Sequence, residues 1–255
     1  MTRSSSKEIV GVIPARWAST RFPGKPLAEI AGRPLLHWVV ERVSRARSLS
    51  RVLVATDDER IRDCALACGA EVAMTSPEHP SGTDRVAEAV AGLDVHGVIN
   101  IQGDEPLIDP ELIDSLAEAL SDDGARWEMV TAALAIHDPE ELADPDVVKV
   151  VFDAEGRALY FSRSVIPYNR DGLAFGDLVY WRHIGIYGYR SDFLARLVET
   201  PECRLEQSER LEQLRALYIG CRMRVIESDH VGLGVDKPED IEKVERILAS
   251  QPGRK

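Results

Sequence analysis

The chain has 255 residues, enough to bury one substantial core without disulfides or a structural metal. Its 31 Lys and Arg face 43 Asp and Glu, a formal charge of -12 that repels polyanions and excludes a nucleic-acid binder working by broad phosphate neutralisation. A small phosphate ligand stays open, provided that basic groups gather at one point.

The first apolar run, Ile9 to Ile13, is rich in β-branched residues and closed by Pro14, which predicts a buried parallel strand. It is far too short for a signal-peptide core, and no later stretch approaches the roughly 18 apolar residues of a membrane span, so a cytoplasmic protein is expected. Ala15 to Pro26 has the composition of a loop. A helix is predicted over Pro34 to Ala46, with Pro34 in its first turn, then a strand over Arg51 to Ala55 and a helix over Glu59 to Cys68. Glu71 to Met74 and Gly97 to Ile101 read as strands, Thr83 to Ala91 and Pro110 to Leu120 as helices, and Gln102 to Pro106 as a polar loop. Strands alternating with helices on short connections indicate a parallel sheet covered on both faces.

The middle of the chain reads differently. Val130 to Ile136, Val147 to Phe152 and Ala158 to Phe161 are predicted strands, with a turn at Asp153 to Gly156 that joins two of them antiparallel. A strand at Gly185 to Tyr189, with His183 near its end, leads to helices over Ser191 to Leu197 and Leu205 to Leu217. A strand at Met223 to Ile226, a Gly-rich loop to Asp236 and a helix over Pro238 to Leu248 complete the chain. No repeat, low-complexity tract or linker divides it, so 1–255 is read as one domain. Cys64, Cys68, Cys203 and Cys221 have the spacing of neither a zinc knuckle nor a redox pair and are read as thiols.

Ligands of open parallel sheets sit beyond the carboxyl ends of the strands, so the loops after strands carry the candidates. The first loop holds Arg16, Arg21 and Lys25 among small residues, a set suited to wrapping a triphosphate, although a merely solvated basic loop has the same composition. It matches neither GxGxxG nor GxxxxGK[ST], which argues against a dinucleotide fold and a P-loop. Asp104 and Asp236, each in a loop after a strand, are hard oxygen donors for a divalent cation, or simple turn and cap residues. His183 is either a ligand-facing donor or a packed histidine. On the helix of Leu211 and Leu214, surface solvation accounts for Glu209, whereas periodicity does not distinguish Glu212 and Gln213 from ordinary helix surface.

The sequence resembles the 3-deoxy-manno-octulosonate cytidylyltransferase (CMP-Kdo synthetase) family, through GVIPARWASTRFPGKPL in the first loop, ATDDERI at 55–61, HPSGTDR at 79–85 and NIQGDEP at 100–106. It continues through VKVVFDAEGRALYFSRSVIP at 148–167, RHIGIYGYR at 182–190, LEQLR at 211–215 and GVDKPED at 234–240, collinear over nearly the whole chain. The resemblance implies an α/β fold of nucleotidyltransferase type, with a mostly parallel central sheet flanked by helices. It also implies a smaller antiparallel portion, at about 130–190, that helps form a homodimer. It implies CTP as co-substrate, Mg2+ as cofactor, and a place in lipopolysaccharide biosynthesis. Arg16 and Lys25 would bind the triphosphate, Ser81, Gly82 and Arg85 the cytidine end, and Asp104 and Asp236 the magnesium. Gln102, His183, Tyr187, Glu212 and Gln213 would surround the sugar acid, whose anomeric hydroxyl attacks the α-phosphorus of CTP and releases pyrophosphate.

Two departures bear on the acceptor. Lys237 stands where the family usually has Thr, and is read as a solvated residue, a phosphate contact or a partner of the sugar acid. Residues 170–181, with Phe175, Val179, Tyr180 and Trp181, follow no family pattern closely. The alternatives are a cytidylyltransferase for an amino-substituted or shortened Kdo-like acid, and a sugar-nucleotide-binding protein without catalysis.

Overall fold

The computed structural model describes residues 8–18, 22–122, 124 and 127–250. They form two compact units, one running to Asp114 and resuming at Gly232, the other spanning Ser115–Val231.

In the first unit, β1 (Ile9–Pro14) is buried along almost its full length, because both of its faces are covered. A two-residue hairpin follows, β2 (Glu29–Ile30) and β3 (Arg33–Pro34), turned by Ala31 at φ 48° and Gly32 at φ 76°. Both central residues are left-handed, the geometry that matches strand twist in a two-residue turn. This hairpin takes Pro34 out of the predicted helix, and α1 (Leu35–Val43) starts one residue later. It buries Leu35, Leu36, Val39, Val40 and Val43 as one stripe.

Next come β4 (Arg51–Thr56), α2 (Glu59–Ala67), β5 (Glu71–Met74), α3 (Gly82–Val90) and β6 (Gly97–Asn100). β1 lies between β4 and β6 and parallel to both, with β5 parallel on the far side of β4. Their carboxyl ends therefore share one edge, which is where the loops carrying the candidate residues emerge. Asp58 caps α2 by accepting the Arg60 N–H, and Ser81 caps α3 by accepting those of Thr83 and Asp84. The chain leaves this unit in α4 (Pro110–Ser121) and returns to it for its last helix.

The second unit contains β7 (Met129–Ala135), α5 (Pro139–Ala143), β8 (Lys149–Phe152), β9 (Ala158–Ser162) and β10 (Trp181–Arg190). β10 runs antiparallel to β7 and β8, and β8 and β9 pair antiparallel around the expected turn, where Asp153 accepts the N–H groups of Glu155 and Arg157. β10 is ten residues long, so His183 lies within a strand and not near the end of one. Then follow α6 (Ser191–Glu199), α7 (Arg204–Glu209), α8 (Gln213–Tyr218) and β11 (Met223–Glu227), which is parallel to β7.

The predicted single helix over Leu205 to Leu217 is two. Arg210 adopts φ 55°, ending α7, and the chain turns before α8 begins with Gln213. No glycine or proline marks the break, so residue type alone gave no stop signal. The last helix, α9 (Glu239–Ser250), belongs to the first unit, where Glu245 accepts the Ala31 N–H at 2.7 Å. The α/β class, with a mostly parallel sheet, flanking helices and a smaller antiparallel portion, is as expected. All four cysteines are free thiols. Among the described residues no helix is long and apolar enough to cross a membrane.

Candidate nucleotide and acceptor sites

In the first unit a pocket opens at the carboxyl edge of the parallel strands. Arg16, Lys25, Ser81, Gly82, Arg85, Gln102, Asp104 and Asp236 all line it, so eight of the residues singled out in sequence meet there. Arg21 lies outside the described residues.

Lys25 stands at the centre. Its Nζ is 2.6 Å from Asp104 Oδ2 and 3.7 Å from Asp236 Oδ1, which makes both carboxylates neighbours of one cation although 132 positions separate them. The two acidic loops are joined directly by a backbone bond from the Val235 N–H to the Asp104 carbonyl at 2.9 Å. Asp240 holds the other side by accepting the N–H groups of Asp236 and Lys237, and the bond from Lys243 keeps its own carboxyl below the usual range. Lys237 is exposed and absent from the pocket wall.

Arg85 is buried at 3% exposure, 2.5 Å from Thr75 Oγ1 and 3.4 Å from Asp57 Oδ1, so its charge is compensated within the wall and its plane is fixed. The Ser81 hydroxyl is engaged in capping α3 and donates to Asp84 Oδ2 at 2.6 Å. A Cβ on Gly82 would touch only Pro14, at an ordinary 3.6 Å, so the protein itself has room for a side chain there and glycine keeps that space open.

Sequence reasoning gave no role to His79, which also lines the pocket. Its Nε2 bonds to Glu88, whose carboxyl that bond holds below its ordinary pKa and which also accepts the Ser76 N–H. The motif HPSGTDR contained the residue, but only the fold brings Glu88 of α3 back to it.

In the second unit, the register of β10 on β7 pairs His183 with Ala133, Tyr187 with Thr131 and Tyr189 with Met129, around an irregularity between Ile184 and Tyr187. Their partners alternate along β7, so the three rings share one face. His183 and Tyr187 have centroids 5.3 Å apart, and Phe161 meets His183 edge-on. Burial lowers the His183 pKa to about 3, so the ring is neutral at pH 7. Its Nε2 is 2.9 Å from Thr131 Oγ1, whose proton goes to the Ile186 carbonyl at 2.8 Å. Nε2 is thus the donor and Nδ1 keeps a lone pair.

Tyr187 is pushed upward by burial, with the Glu212 carboxylate adding to the shift, so the phenol stays protonated. Glu212 lies 3.3 Å from Arg215, which also pairs with the buried Glu206. Gln213 is 4% exposed, and its Nε2 has no hydrogen-bond partner among the described residues. Glu209 is more than a solvated surface residue. It accepts from the Ser162 hydroxyl at 2.6 Å and from the Arg163 N–H at 3.0 Å.

Residues 10–228 match the cytidylyltransferase family, which makes the chain a nucleotidyltransferase. The chain is 48% identical over 244 residues to a 3-deoxy-manno-octulosonate cytidylyltransferase of Geobacter sulfurreducens, covering 92% of this chain and 97% of the relative. It is 50% identical to the protein so named from Solibacter usitatus, covering 95% of each. A solved CMP:2-keto-3-deoxy-manno-octonic acid synthetase complexed with CTP superposes with a TM-score of 0.90 at 42% identity, over 95% of this chain and 98% of that one. The chain belongs to the 3-deoxy-manno-octulosonate cytidylyltransferase family. A cytidylyltransferase from Leptospira borgpetersenii, 17% identical with a TM-score of 0.66 over 96% and 88% of the two chains, shares the fold.

Proposed function

We propose that the protein transfers CMP from CTP to the anomeric hydroxyl of Kdo and releases pyrophosphate. The observation that carries this reading is the Lys25 ammonium set between Asp104 and Asp236 at the strand edge. The similarity to a CTP-complexed synthetase over nearly the whole chain supports it.

Arg16 and Lys25 bind the triphosphate, where two cations offset charge that accumulates on the leaving pyrophosphate. Ser81, Gly82 and Arg85 receive the cytidine end. Asp104 and Asp236 fit a Mg2+ ion, because both face a cation already and offer hard oxygen donors. With only two carboxylates from the protein, a Mg2+ ion held there would take its remaining oxygen ligands from the phosphates and water. Bound there, the ion would draw charge from the phosphate oxygens and favour ionisation of the attacking hydroxyl.

On the acceptor side, His183 offers the Nδ1 lone pair to a sugar hydroxyl and is no general base at this pKa. Tyr187 and Gln213 donate, and Glu212 accepts. The Gln213 Nε2, without a partner among the described residues, is the clearest sign of a polar guest. A homodimer through the portion at about 130–190 is supported by exposed Val165, Tyr168, Leu173, Phe175 and Val179. A cytoplasmic location belongs to the same reading, since both CTP and Mg2+ are at hand there.

The test is coupled pyrophosphate release with each nucleoside triphosphate in turn against Kdo, amino-substituted Kdo and shorter keto-deoxy acids, in magnesium buffer. CTP with Kdo should give the highest kcat/KM. No release with any of the acids overturns the reading, and collapse of turnover in Asp104→Asn and Asp236→Asn with the fold intact is the matching check on the ion.

A further inference from the structure

The loop that carries Arg16 and Lys25 is closed on itself by the Gly24 N–H, which donates to the Trp17 carbonyl at 3.1 Å. Gly24 sits at φ 71° with its α-carbon against the Trp17 ring, so that an added Cβ would lie 2.8 Å from Cη2. On that ring rests the Arg60 guanidinium, with Cζ 3.3 Å from the centroid. Asp58 fixes the guanidinium in turn, accepting from Arg60 Nε at 3.0 Å and from Nη2 at 2.6 Å. The same carboxylate caps α2 through the Arg60 N–H at 2.9 Å, so the stack is anchored to a helix N-terminus just beyond β4.

Trp17 and Gly24 immediately adjoin Arg16 and Lys25. Each cation therefore has its backbone placed by one member of the stack. Neither Arg60 nor Trp17 is in the pocket wall, whereas Arg16 and Lys25 both are, so the stack reaches the site through these two neighbours.

We propose that Trp17 and Arg60 are positioning residues for CTP: the Asp58–Arg60–Trp17–Gly24 stack holds the two phosphate-binding cations at their working separation. The proposal rests on the reading that Arg16 and Lys25 bind the CTP phosphates. Arg60 acts only through Trp17, so the two contribute as one unit and not independently.

A double-mutant cycle on the full-length protein tests this, with kcat and KM for both substrates read by pyrophosphate release. Arg60→Ala and Trp17→Leu should each raise the CTP KM about fivefold, the scale of one cation–π contact near the surface. The pair should raise it no further, while the KM for Kdo stays within about twofold throughout, as expected when the coupled residues serve one substrate. Trp17→Phe keeps an aromatic face and should restore most of the loss. The difference in emission between wild type and Trp17→Phe isolates Trp17 fluorescence, and Arg60→Ala should alter it even without CTP.

Single effects that multiply in the double variant overturn the coupling. Unchanged CTP KM in both singles, while Arg16→Ala and Lys25→Ala weaken CTP, overturns the stack's role alone. If Arg16→Ala and Lys25→Ala leave the CTP KM unchanged, the phosphate reading falls and the positioning role with it.

Discussion

Gly103 lies so close to Pro14 that a Cβ built on it would be 2.8 Å from the Pro14 carbonyl oxygen. The contact seats the loop after β6 on the end of β1, and Asp104 is the next residue. Gly103→Ala must push backbone from backbone, since no flexible side chain can yield. It should reduce turnover at least about tenfold by displacing Asp104, and lower the melting temperature by roughly 2–6 °C, the effect of about 1–2 kcal/mol in a chain of this size. Steady-state kinetics and a thermal melt check both. Wild-type turnover would mean that the loop has slack and Asp104 does not depend on its seating.

That contact also shows where sequence reading stops. The strand runs at Ile9–Ile13 and Arg51–Ala55, each one residue short of the observed strand, are legible, as are the loops beyond them and the residues that converge in the pocket, because buried strands and their loops have distinct compositions. The Lys25 position between Asp104 and Asp236 was legible only as three separate candidates. The Ala31–Gly32 turn hid behind an alanine in a left-handed conformation, and the break at Arg210 behind a residue that usually extends helices. The Glu88 bond to His79 and the Arg60 stack on Trp17 connect residues by packing, for which neither local periodicity nor composition has a signal.

His183 makes stability depend on pH. Its folded pKa is about 3 against an unfolded 6.5, so between these values the unfolded chain binds a proton that the folded chain refuses. Stability is fully present above pH 6.5 and falls with acidification towards pH 3. From pH 7 to 5 the loss from this ring should be roughly 1–2 kcal/mol, at a limiting slope of about 1.4 kcal/mol per pH unit. Urea unfolding of wild type and His183→Asn at both pH values isolates it. Equal losses in the two proteins would mean that the ring titrates alike in the folded and unfolded chain.

The sequence allows Lys237 three roles: solvation, phosphate contact or acceptor contact. Its exposure, its backbone bond to Asp240 and its absence from the pocket wall favour the first. Lys237→Thr should therefore change the ratio of kcat/KM between Kdo and amino-substituted Kdo by less than about twofold, as for other solvent-facing lysines. A larger change would assign the side chain to the acceptor after all.

Gln213 separates the requirements of folding from those of binding. Its amide is buried with Nε2 unpartnered, an arrangement that costs the free protein about 1–3 kcal/mol unless water or a guest supplies the bond. Gln213→Leu keeps most of the volume and removes the unsatisfied donor. The variant should unfold at the same or higher urea concentration than wild type, since deleting an unpaired buried polar group is neutral or stabilising. Binding should move the other way: an acceptor hydroxyl or carboxylate that loses a desolvated partner should show a KM raised by about tenfold or more. The KM for CTP should remain within about twofold, because the lost bond belongs to the other substrate. Urea titration and kinetics with each substrate varied in turn give both readouts on one preparation. A variant that is destabilised and binds Kdo normally would make Gln213 a structural residue and remove it from the acceptor site.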